Sequence, residues 1–96
     1  MPIGSSKAAR LAEKLRARVV KRAQKSGRPI FVDDVSSSEL EDGAYDFEVY
    51  EERSNRSPDE TRYLWMAYVV VTPKLEVWIH EEIEDVDLEF LEIALK

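Results

Sequence analysis

RYLWMAYVVVT, residues 62–72, is apolar on both sides of an extended chain. Tyr63, Trp65, Ala67, Val69 and Val71 fall on one face, and Leu64, Met66, Tyr68 and Val70 on the other. Such a strand is expected at the centre of a sheet, covered on both faces. On either side of it the pattern turns to alternation. From Ala44 to Arg53, Tyr45, Phe47 and Val49 point one way and Asp46, Glu48 and Tyr50 the other; from Leu75 to His80, Leu75, Val77 and Ile79 alternate with Glu76, Trp78 and His80. Thr72-Pro73-Lys74 reads as a tight turn, and SNRSPDE (Ser54 to Glu60) as an exposed hairpin connection. Residues 44–80 are therefore expected to form an antiparallel meander.

Two helices flank it. Ser5 or Ser6 can cap a helix running to about Lys25, whose apolar residues Ala8, Leu11, Ala12, Leu15, Val19 and Ala23 recur at helical spacing. Gly27 suits the left-handed residue that closes a helix, and Pro29 forbids its continuation. Pro29 to Val32 is a short β-prone run. Asp33 to Gly43 is acidic and serine-rich, a loop with a helical turn around Ser38 to Asp42. Asp85 can cap a closing helix from Val86 to Leu95, with Asp87 and Glu89 near its positive end and Lys96 at its negative end. The expected fold class is α+β: an N-terminal amphipathic helix, a mostly antiparallel sheet of three to four strands, and a C-terminal helix packed on Phe47, Trp65, Val69, Val77 and Ile79, all within a single domain spanning residues 1–96.

Composition narrows the chemistry. Ninety-six residues without cysteine cannot hold a disulfide, a thiolate metal site or a cysteine nucleophile. No apolar stretch approaches the roughly 20 residues of a membrane span, and MPIGSSKAAR lacks an apolar signal core, so a cytoplasmic protein with no membrane partner is expected. Gln24 and Asn55 are the only side-chain amides and charged residues make up 35% of the chain, a bias of proteins from hot environments. The net charge of −6 conceals an asymmetry. Residues 1–28 carry nine Lys or Arg against one Glu, and residues 29–96 carry five against nineteen acids. Charge distribution of this kind bears on partners rather than on fold.

The cations of the first helix are ordered. Lys7, Arg10, Lys14, Arg18, Lys21 and Lys25 fall within an arc of about 80° on a helical wheel and form a ridge about 27 Å long. It could lie solvated or neutralised by the acidic body, track a nucleic-acid backbone without sequence preference, or dock on an acidic protein surface. No aromatic or glycine-rich recognition motif accompanies it, and the acidic balance opposes avid nucleic-acid binding. The second sheet face, with Tyr50, Leu64, Met66, Tyr68, Val70 and Trp78, admits two arrangements. Either a helix covers each face, or this face stays open as a self-association surface rich in Tyr, Trp and Met, with a homodimer as the commonest outcome.

The remaining motifs carry less. IFVDDV resembles, over about six residues, the magnesium-binding acidic pair of response-regulator receiver domains, but a receiver needs alternating strands and helices where this chain has a meander; Asp33-Asp34 read as loop caps. His80 is the sole histidine, followed by Glu81, Glu82, Glu84 and Asp85, and with Glu76 and Glu82 it could centre a metal-dependent enzyme or regulator. No HExxH spacing supports this, and Ser36, Ser37 and Ser38 lack a nucleophile elbow. Three glycines make neither a P-loop nor a dinucleotide fingerprint. The expectation is a non-enzymatic interaction module that self-associates through a basic helix against an acidic surface, with no catalytic residue, cofactor or metal. Nucleic-acid backbone binding and a small metal site at His80 are the alternatives.

Overall fold

The computed structural model describes residues 6–54, 57–83 and 85–96. The elements run α1 (Lys7–Ser26), β1 (Ile30–Val32), β2 (Ser36–Ser37), β3 (Tyr45–Glu52), β4 (Tyr63–Val71), β5 (Val77–Ile83) and α2 (Leu88–Leu95). The strands form one antiparallel five-stranded sheet in the order β1-β3-β4-β5, with β2 also paired to β3. β4 has a partner on each side, and β5 ends the sheet on its far side. The expected α+β architecture is therefore present, and the additional strand is the two-residue β2. Ser36 and Ser37 pair with Asp46 and Tyr45, and no helical turn forms around residues 38–42, correcting that expectation.

Local chemistry sets the element ends. Ser6 caps α1 by accepting from the Ala9 amide at 2.9 Å, and Gly27 closes it at φ 68°. The β3–β4 connection lies in part outside the described residues, at Asn55 and Arg56. After β4, Leu75 takes φ 67° inside a turn that Thr72 holds at both ends, its amide donating to the Glu76 carbonyl and its hydroxyl accepting from the Glu76 amide. Leu75 and Glu76 thus belong to the turn, and β5 begins at Val77. It runs on past His80 to Ile83, three residues beyond the expected end. Asp85 adopts φ 65° and does not cap the closing helix. Asp87 does, accepting from the Phe90 amide at 3.0 Å, so α2 starts two residues later than expected.

Both helices lie on the same face of the sheet. Ala8, Ala12, Leu15, Val19 and Ala23 of α1 and Phe90, Leu91 and Ala94 of α2 share one core with Phe47, Val49, Trp65, Ala67, Val69 and Val71. The arrangement with a helix on each face is excluded, although Met66 and Val70 on the far side of β4 are themselves buried. Alanines at four of the buried α1 positions keep that helix close to the strands, while Leu15, Val19, Phe47, Trp65 and Leu91 supply the bulk. Fully burying a side chain of this size stabilises by about 1.5–3 kcal/mol. Val77 is 41% exposed and does not join the core beneath α2, contrary to expectation.

One polar group is built into this apolar layer. Glu51, 6% exposed, receives the Arg28 guanidinium through two bonds at 2.8 and 3.1 Å and the Trp65 indole N–H at 2.8 Å. The same guanidinium bonds Asp87 at 2.8 Å and lies 5.6 Å from the centre of the Phe90 ring. Hydrogen bonds from Arg28 chiefly, then from Trp65, hold the Glu51 carboxyl below its ordinary range against the opposing effect of burial. Glu51 therefore contributes stability that is present above the ordinary carboxylate range and lost as pH falls. Glu51→Leu leaves the Trp65 N–H without its acceptor and Arg28 with Asp87 alone, and should cost about 2–4 kcal/mol in urea unfolding. Glu51→Gln, which keeps an acceptor for Trp65, should cost less. Arg28→Ala should abolish the part of the acid-side stability loss that Glu51 carries, as read from melting temperatures across pH.

Candidate functional site

The second sheet face carries neither helix. Register brings Tyr50, Met66, Tyr68, Val70 and Trp78 together on it, as the alternation implies, and adds Phe31 opposite Tyr50 and Ile83 opposite Met66. Val70 is wholly buried and Met66 nearly so, leaving Tyr50, Tyr68, Ile83, the 37%-exposed Trp78 and the still more exposed Phe31 as its accessible members. Leu64 sits apart from this set. The β3–β4 register passes from Glu51↔Trp65 to Glu52↔Tyr63, so Leu64 occupies a bulge. The slip moves Tyr63 off the face of Trp65, where alternation had put it, and against Tyr50 with ring centres 4.9 Å apart. Phe31, 5.6 Å from Tyr50, completes an aromatic row across three strands. Sequence reasoning missed Phe31 and Tyr63: one lies on a three-residue strand too short to show a period, and the other beyond a break in phase.

Beside this row the face is acidic. Burial raises the Glu48 carboxyl above its ordinary range; the hydrogen bond from Tyr68 works in the opposite direction, and Asp33 and Glu82 add to the rise. Tyr68 in turn is pushed up to about 12, by burial first and then by its bond to Glu48. Asp46, 7% exposed, lies on the same face opposite Val70. His80 stands opposite Tyr68 and meets the Glu82 carboxylate at 3.2 Å. The expected third member of that group, Glu76, is engaged through its backbone in the Thr72 turn, and no three His, Asp or Glu side chains among the described residues converge as metal ligands. Glu84 lies outside the described residues. Asp33 and Asp34 do not act together: Asp34 pairs with Arg16 at 3.3 Å, while Asp33 neighbours Glu48.

The basic ridge is on the other side of the molecule. Lys7, Arg10, Lys14, Arg18, Lys21 and Lys25 are all exposed, on the flank of α1 turned away from the sheet. None of the six forms an ion pair among the described residues, and Arg18 alone of them has a hydrogen bond, donating to the Leu95 carbonyl at 3.3 Å. The cations of α1 and the loop after it that do find carboxylates, Arg16 and Arg28, lie off the ridge. Among the described residues no helix is long and apolar enough to cross a membrane. Comparison with family models, with curated proteins and with solved structures gives no match in any of the three.

The raised Glu48 has a definite sign. Its folded form holds the proton more tightly than the unfolded chain, so its contribution is most favourable at low pH and is lost as pH rises through the raised value. Glu48→Gln keeps an acceptor for Tyr68 and removes the charge. The variant should therefore gain melting temperature over wild type from about pH 4 to about pH 8, the gap widening with pH. A pH-independent difference would contradict this.

Proposed function

We propose that this chain is a non-enzymatic interaction module that assembles with itself, the basic ridge of one copy docking on the acidic, aromatic sheet face of another. The carrying observation is the separation of the charges. Seven exposed cations on α1, the six of the ridge and Arg22, have no ion-pair partner among the described residues, while Asp33, Asp46, Glu48 and Glu82 lie beyond the sheet from them. Within one molecule the two sets are held apart by the core. Between molecules they can meet.

Shape agrees with charge. A helix of 20 residues is about 30 Å long, and the nine residues of β4 extend about 30 Å. Tyr50, Tyr68 and Trp78 would supply the contact area that cation-rich surfaces lack, since aromatic rings receive the stems of Lys and Arg and attract their charged ends. Pairing two sheet faces about a two-fold axis would instead set Glu48 and Asp33 against their own copies, at a cost in like-charge repulsion. The favoured contact is heterologous, producing a ring or chain of copies rather than a two-fold dimer. No catalytic step is assigned to His80.

Such a contact is screened by salt, the Debye length falling to about 3 Å near 1 M. Light scattering should give a mass above that of the monomer at about 20 mM salt and the monomer mass at about 500 mM. The double variant Lys14→Glu, Lys21→Glu should be monomeric at both. A wild-type protein that stays monomeric at low salt overturns the assembly. If that monomer nonetheless binds duplex or single-stranded nucleic acid with affinity falling steeply in salt, the ridge is a backbone contact instead, as its unpaired cations also allow.

A further inference from the structure

On the acidic face, a recess of about 380 Å³ is lined by Ser36, Ser37, Glu39, Leu40, Asp46, Tyr68 and Glu82. It falls at the lower end of the size range of small-ligand sites. One wall is the segment after β2, and the floor is the sheet at Asp46 and Tyr68. Asp46 is the informative residue. It is 93% removed from solvent, taking 7% exposure from the whole, yet its carboxylate has no hydrogen-bond or ion-pair partner among the described residues. No buried side-chain oxygen among those residues is both sealed and unpaired, so the Asp46 oxygens keep an opening, and Asp46 lines this recess. A carboxylate on so buried a residue meets water only through this opening and has received no protein donor. A cation entering the recess would supply one.

The lining also says which kind of cation. Asp46, Glu39 and Glu82 are acids, but no three carboxylates converge closely enough to hold a metal ion. The Tyr68 ring and Leu40 make part of the wall apolar, which is of no use to a hard ion that needs oxygen on every side. A charged head on an alkyl stem fits both halves: an ammonium can present its donors to Asp46 and the Ser36 hydroxyl opposite it, and its methylenes can lie along Leu40 and the phenol ring. The Tyr68 hydroxyl interacts with Glu48, and the face of its ring is suited to receive a cation.

We propose that this recess is a binding site for an alkylammonium group, and that its occupant is a lysine side chain from the basic ridge of another copy. The identity of the occupant rests on the assembly described above; the affinity for alkylammonium does not. The test titrates Nα-acetyl-lysine methylamide into the folded protein while amide shifts are followed, with the norleucine analogue as the uncharged control and magnesium as the metal control. The lysine compound should shift Ser36, Ser37, Leu40 and Tyr68 with a dissociation constant on the order of 1–10 mM, and the norleucine compound should not. Asp46→Asn should weaken binding at least about fivefold with the remaining amides unmoved, a loss of about 1 kcal/mol. Glu82→Gln, at an exposed position, serves as a second variant should Asp46→Asn not fold, and should weaken it in the same direction.

Absence of shifts at those four amides overturns the site, as does equal response to norleucine or full displacement by equimolar magnesium. The two readings separate cleanly. Lysine binding by a protein that is monomeric at every salt concentration keeps the site and removes the neighbouring copy as its occupant. Low-salt assembly that is indifferent to Asp46→Asn keeps the assembly and removes the site from it.

Discussion

The bonds made by the Glu51 carboxylate join both helices to the sheet at one point in the core. A charge placed in an apolar layer costs several kcal/mol unless every lone pair is occupied. Here a guanidinium takes two positions and an indole a third. Because Arg28 leaves α1, Glu51 sits on β3, Trp65 on β4 and Asp87 at the head of α2, the network ties four parts of the chain to one point. An aliphatic residue at 51 could fill the space, but it would not bond the segments that follow α1 and precede α2 to the sheet. The ion group fixes their orientation as well as their proximity, placing the C-terminus of α1 against the N-terminus of α2 on the same side of the sheet.

From that placement the surface follows. With both helices gathered on one side, the other side of a central, doubly apolar strand is left facing outward, and its larger side chains are partly sheltered only by one another and by the segment around β2. Val70 is buried there without a helix above it. The ridge on α1 is the outward side of the same packing: the stripe that buries Leu15 and Val19 turns Lys14, Lys21 and Lys25 away from the acids beyond the sheet. One packing decision thus creates two surfaces of opposite sign.

Much of this was legible in residue order. The three- and four-residue spacing of Ala8, Ala12, Leu15, Val19 and Ala23 marked both α1 and its buried side, and Gly27 marked its end, because those signals are local. The alternation of residues 45–50 likewise sorted Phe47 and Val49 from Glu48 and Tyr50. What spacing could not convey was how the layers stack. An apolar run such as 64–71 looks alike whether helices cover one side or both, and the one-sided stacking rests on contacts distant in sequence, among them that of Arg28 with Glu51, 23 positions apart. Phase errors had the same origin: the slip at Leu64 reverses Tyr63, and the left-handed turn at Asp85 moves the cap to Asp87, each a tertiary adjustment that overrides a short local pattern. The recess at Asp46 was invisible for a related reason, since its wall comes from Ser36 to Leu40, a stretch whose pairing with β3 no periodicity announces.

β5 closes the sheet with no described strand beyond it, so one row of its backbone amides and carbonyls is open to any extended chain that drifts alongside. Such an edge invites unwanted pairing and fibrillar growth, and proteins blunt it with charge and irregularity. Both devices are present in VWIHEEI: Glu81 and Glu82 place two carboxylates near its end, and the change of register opposite Met66 and Ala67 bends the ladder where a straight template would otherwise be longest. The same glutamates that colour the outer face therefore also act as gatekeepers, which confines association to side-chain surfaces and keeps the main chain out of it.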